Sequence, residues 1–193
     1  MNPKRIIILF IAIEAAIILL VLLSDGYSVN ALQTIARFSG RLSLMLFSAI
    51  FLLYTKPSAL TPWLSDRFYL LFAIVHGVHL IELLLFVTLA GVQLNPYRVA
   101  GGFIAYAFIF AMPIIQHYRQ LDRITVRNYQ RVEAIFVYYV WLIFFLTYLP
   151  RVQGKLPQAG GSFAEHVALL GWISTLLGMK VAGQIKFSNN RKV

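Results

Sequence analysis

From Ile6 to Leu23 the chain holds only Ile, Leu, Val, Ala and Phe, interrupted once by Glu14. Five further apolar runs follow, at Leu42–Tyr54, Phe68–Gly91, Val99–Ile115, Ala134–Leu149 and Phe163–Ala182. A helix of roughly 20 apolar residues is what a bilayer crossing requires. In lipid each backbone N–H and C=O must be bonded within the protein, which leaves helices or closed barrels. The runs are continuously apolar and do not alternate with period two, so the barrel is excluded. The second run is short, and its helix begins nearer Ile35 if Arg37 and Arg41 extend outward. The expected fold is all-α: one integral membrane domain over residues 1–193, a six-helix bundle.

Composition agrees. Of 193 residues 60% are hydrophobic and 12% charged, with a mean hydropathy of +0.75. Soluble domains carry about 25% charged residues. Lys4 and Arg5 precede the first run as in a signal peptide, but Glu14 and the lack of a small-x-small cleavage site before Ser24 mark a retained helix.

With six spans, one side would hold Lys4, Arg5, Lys56, Arg67, Arg119, Arg123, Arg127, Arg131, Lys180, Lys186, Arg191 and Lys192. The other would hold Arg37, Arg41, Arg98, Arg151 and Lys155. That bias predicts both termini on the cytoplasmic side, in a bacterial inner membrane. It also explains a net charge of +10 through topology and anionic lipid, with no nucleic acid needed. In "QHYRQLDRITVRNYQR" the arginines at 119, 123, 127 and 131 recur every fourth residue. On one helix they would form a basic stripe, for lipid headgroups or an acidic partner.

The chain has no cysteine, which excludes disulfides and thiolate chemistry. It has no glycine-rich phosphate loop, nucleophile elbow or HExxH motif, so a flavin or nicotinamide would have to come from a partner. Chemistry therefore rests on ionisable residues within the spans, which usually face the bundle interior. In "FAIVHGVHLIELLLF" His76, His79 and Glu82 stand three apart and form one stripe. At about 1.5 Å per residue His79 reaches the middle of its span, at a height similar to Glu14. His117, Glu165 and His166 lie at span ends.

Such a stripe has a structural use, bonding carbonyls or hydroxyls of a neighbouring helix. Its chemical uses are a haem ligand, a proton relay through Glu82 and Glu14, or contacts to quinone oxygens. A carboxylate-bridged metal pair needs ligands from four helices, and only the third span offers a cluster, so no metal site is expected.

The arrangement resembles a known family. "ALQTIARFSGRLSLMLFSAIFLLYTKPSAL", with Ser39, Gly40 and Pro57, is similar to the second-span region of ferric-reductase-like transmembrane proteins of the YedZ/MsrQ type. "SDRFYLLFAIVHGVHLIELLLF" resembles their basic-start span, with His79 at the haem-ligating histidine. "NPYRVAGGFIAYAFIFAMPIIQHYRQ", "NYQRVEAIFVYYVWLIFFLTYLP" and "FAEHVALLGWISTLLG" resemble the following three spans. The likeness covers roughly Ala31 to Gly178 and rests on layout more than identity. It implies haem b and electron transfer. However, Glu133 and Leu146 stand where the family has its fifth-span histidines. His79 would then hold haem alone, or with His76, Met45, Met112 or Met179.

The expectation is an accessory membrane subunit that has lost bis-histidine ligation and packs with other subunits in a redox complex. The alternatives are a haem b electron-transfer protein linked to quinol or a reductase, and a small transporter. A transporter would use Gly77, Gly101, Gly102 and a kink at Pro113.

Overall fold

The computed structural model describes residues 3–53, 67–156 and 160–190. Tyr54, Lys56, Pro57, Arg191 and Lys192 lie outside these residues. The described residues form six helices and no strand: α1 (Pro3–Asp25), α2 (Val29–Leu53), α3 (Phe68–Leu89), α4 (Pro96–Gln120), α5 (Val126–Val152) and α6 (Phe163–Asn190). Helices α1 to α5 are long and apolar enough to cross a membrane, which makes this an integral membrane protein. Helix α6 is not among the five; it carries Glu165, Lys180 and Lys186 along its length.

Capping, more than apolarity, sets the ends. Ser28 accepts from the Ala31 amide at 3.0 Å and starts α2, while Thr125 accepts from Asn128 and starts α5. Ser162 and Glu165 bond each other's amides in a capping box before α6. At the other ends α3, α4 and α5 close in paired 6→1 and 5→2 bonds around Gly91, Asp122 and Gly154. All three have positive φ, and Asp122 (φ 55°) is the one with a side chain.

Helix α2 therefore begins well before Ile35. Arg37 and Arg41 sit inside it and do not mark its start. Arg41 pairs with Glu165 and its guanidinium lies 4.8 Å from the Phe38 ring centroid, while Arg37 Nη2 lies 3.4 Å from Thr34 Oγ1 one turn earlier. Helix α4 continues through Pro113 to Gln120.

Helix α2 is the spine. Its Leu44, Phe47, Ile50 and Phe51 are buried in one cluster with Phe72 of α3, Met112 of α4, Phe136 and Phe144 of α5, and Ile173 of α6. Phe47 meets Phe51, Phe72 and Phe144 at centroid distances of 5.8, 5.7 and 5.3 Å. Lipid tails are as apolar as these side chains, so close packing and interhelical hydrogen bonds supply the association. Trp172 donates to Ser48 and Trp141 to the Ile173 carbonyl, both at 2.9 Å. Helix α1 is largely outside this core; its Val21 joins Ala31 and Ile35 in a small separate cluster.

A candidate functional site: the polar seam of α1, α2 and α3

Ala36, Ser39, Gly40 and Ser43 fall three and four apart on α2 and so share a face. Small residues on such a face let a neighbouring helix come close. Helix α3 brings its histidine stripe against them. His76 Nδ1 is 2.7 Å from Ser43 Oγ. Its ring is buried between Phe72, Tyr106 and Phe144, at centroid distances of 5.2, 4.8 and 5.9 Å.

His79 lies one turn further along, its ring 5.3 Å from that of His76. Its edge meets α2 at Gly40, where a Cβ would stand 3.0 Å from Cε1 and 3.3 Å from Nε2. The ring hydrogen-bonds the backbone of Ala36. Its Nδ1 is buried with no partner.

The stripe continues to Glu82, and α1 supplies Glu14. Ser39 Oγ donates to Glu14 Oε1 at 3.0 Å. Glu82 lies beside the same hydroxyl and within electrostatic reach of Glu14. Neither Glu82 oxygen is in hydrogen-bonding geometry, and Glu14 Oε2 is also unpartnered. The structure thus brings Glu14, His76, His79 and Glu82 into one seam, as the stripe and the matched heights predicted.

Unpaired polar atoms buried away from water are costly, and four of them lie in this one seam. A haem on His79 does not fit. The ring edge that bears Nε2 packs on α2 at Gly40, where even a Cβ would stand 3.3 Å from it, and the ring bonds the Ala36 backbone. His76 lies on the same helix with its Nδ1 taken by Ser43. Met45 and Met179 are about half exposed, and Met112 is fully enclosed in the apolar core. Among the described residues no group of three or more His, Asp or Glu side chains is arranged to hold a metal ion.

The remaining sequence candidates lie elsewhere. His117 is exposed at the end of α4. His166 is buried near Tyr148, beside the Arg41–Glu165 pair. Glu133 accepts from Tyr69 at 2.5 Å and Tyr129 at 3.1 Å. The four arginines do not share one helix: Arg119 closes α4 and pairs with Asp122, Arg123 lies in the turn, and Arg127 and Arg131 start α5. The turn at Asp122 breaks the predicted stripe, although all four remain at one end of the α4–α5 hairpin.

Two features escaped the sequence reading. The serines of α2 are the partners of the buried acid and imidazole, and the four-residue spacings Ser39–Ser43 and Ala36–Gly40 were the available signal. Lys180, counted with the loop charges, is 2% exposed and donates to the Phe51 carbonyl at 2.8 Å. Its ammonium lies 4.0 Å from the Phe51 ring centroid and 5.2 Å from that of Tyr138.

No protein-family model, curated protein or solved structure matches the chain.

Proposed function

We propose that the chain is an accessory subunit of a larger membrane redox complex, built on a ferric-reductase-like bundle that carries no haem of its own. The observation behind this reading is the contact of His79 with Gly40 and Ala36: the imidazole where the resemblance puts an axial ligand is used to hold two helices together. Both termini face the cytoplasm in this reading, in line with the distribution of basic residues.

The unpartnered atoms of Glu14, Glu82 and His79 support a second element of the proposal. The seam would give the complex a proton-exchanging station within the membrane, since intramembrane acids and imidazoles are the usual parts of proton relays. A quinone oxygen in the seam would meet the same groups.

The test is an ultraviolet–visible spectrum of detergent-purified protein, oxidised and dithionite-reduced, beside His79→Ala. The expected spectrum has no Soret band. A Soret band at full occupancy that His79→Ala abolishes would establish the electron-transfer reading and overturn this one.

A further inference from the structure

A cavity of about 260 Å³ lies between α1, α2 and α3. Ile6 and Phe10 line it from α1, Leu42 and Leu46 from α2, Phe68 and Leu71 from α3. An apolar cavity of this kind stays dry. Left empty, its walls forfeit the dispersion contacts that a filling chain would make. Within a bilayer the apolar material at hand is a lipid tail, and Met45, about half exposed at the cavity edge, leaves it a way in from the side.

The charges around the cavity select among lipids. Arg5 immediately precedes Ile6, and Arg67 immediately precedes Phe68. Both arginines are exposed, and neither is ion-paired with a described residue. Two helices that share a cavity at these positions place their two guanidinium groups at the same end of it. Guanidinium groups bind phosphate oxygens in a bidentate fork, with a planarity that an ammonium lacks.

We propose that this cleft is a binding site for one anionic glycerophospholipid, an acyl chain in the cavity and the phosphate between Arg5 and Arg67. The lipid wedges α1 against α2 and α3, where α1 otherwise has little of its surface covered. The site is separate from the seam, and it stands whether or not the proposed redox role does.

Native mass spectrometry of the full chain in detergent tests this, with phosphatidylglycerol and phosphatidylcholine offered at equal concentration. The expected result is a one-to-one phosphatidylglycerol adduct that survives activation, while phosphatidylcholine is lost. R5Q combined with R67Q should weaken phosphatidylglycerol retention about thirtyfold, following ~1 kcal/mol per arginine near an anionic surface. Ala49→Phe, which fills the cavity and spares both arginines, should remove the adduct. Should that variant not be monodisperse, Met45→Phe at the cavity edge serves the same arm. Glycerophosphoglycerol, the headgroup without chains, should not displace the lipid. Equal retention of the two lipids, an adduct unchanged in either variant class, or displacement by the bare headgroup would each overturn the proposal.

Discussion

A Cβ built on Gly40 of α2 would lie 3.0 Å from His79 Cε1 on α3. The two residues pack at the crossing that holds the polar seam. Overpacking of this kind costs about 1–3 kcal/mol, and Ala returns about 1 kcal/mol in helix propensity over Gly. Gly40→Ala should therefore destabilise the bundle by a net ~1 kcal/mol, and Gly40→Val by more. In a His79→Ala background the added cost of Gly40→Ala should largely vanish, a non-additivity expected of residues in contact. Unfolding midpoints in mixed micelles would show it; additive effects would mean the ring had room to move.

Ser39 is the hydroxyl between Glu14 and Glu82. Hydrogen bonds between membrane helices average about 0.6 kcal/mol. Ser39→Ala should therefore cost roughly 1 kcal/mol or less, while Glu14→Gln, which keeps an acceptor oxygen, should cost less than that. The same unfolding experiment ranks the two, and the reverse order would show that the serine is not what receives the acid.

Lys180 reaches across to α2 and bonds a carbonyl of its last turn, one of those left over at a helix C-terminus. It also feels the charge of Glu133. Lys180→Met leaves that carbonyl without its donor and removes the attraction to Glu133, a change that costs about 1–3 kcal/mol. The double variant Lys180→Met with Glu133→Gln should be more stable than the single one. Folded yield and unfolding midpoint both report it. If the double variant were the worse, the lysine's role would lie in the carbonyl bond alone.

Asp122 holds a left-handed conformation (φ 55°) at the end of α4. That conformation costs a residue with a side chain about 1 kcal/mol relative to glycine. The exposed ion pair with Arg119 returns less than that. Asp122→Gly should leave the unfolding temperature unchanged or slightly raised, and Asp122→Val should lower it. A clear loss on Asp122→Gly would show that the aspartate carries more than its backbone geometry.

If the α4–α5 end docks an acidic partner, replacing Arg119, Arg123, Arg127 and Arg131 together with Gln should leave membrane insertion intact and abolish partner co-purification. Unchanged co-purification would reject docking at this end and leave the arginines to lipid headgroups.

The apolar runs made the helices legible, because continuous apolarity over such lengths has few other outcomes. Their ends were less so: α2 starts at the Ser28 cap, and Arg41 stays inside it because it finds Glu165, a residue distant in sequence that no local pattern announces. The seam was half legible. The three-residue spacing of His76, His79 and Glu82 put them on one face, and depth put Glu14 near them. The groups they meet come from a different helix, and α2 itself reads only as a span with some serine and glycine in it. Lys180 misled for the same reason. A lysine near a helix end looks like a surface charge until the neighbouring carbonyl is in view.

The Ser39–Glu14 bond also bears on how the protein is made. Its two residues are 25 apart in sequence, so α1 is synthesised before the serine that partners its acid. An acid at the centre of a span weighs against insertion by a few kcal/mol, and the unbroken aliphatic flanks of α1 outweigh it. The first helix can then wait in the membrane as a separate rod. The arrival of α2 turns an isolated polar group into a helical hairpin.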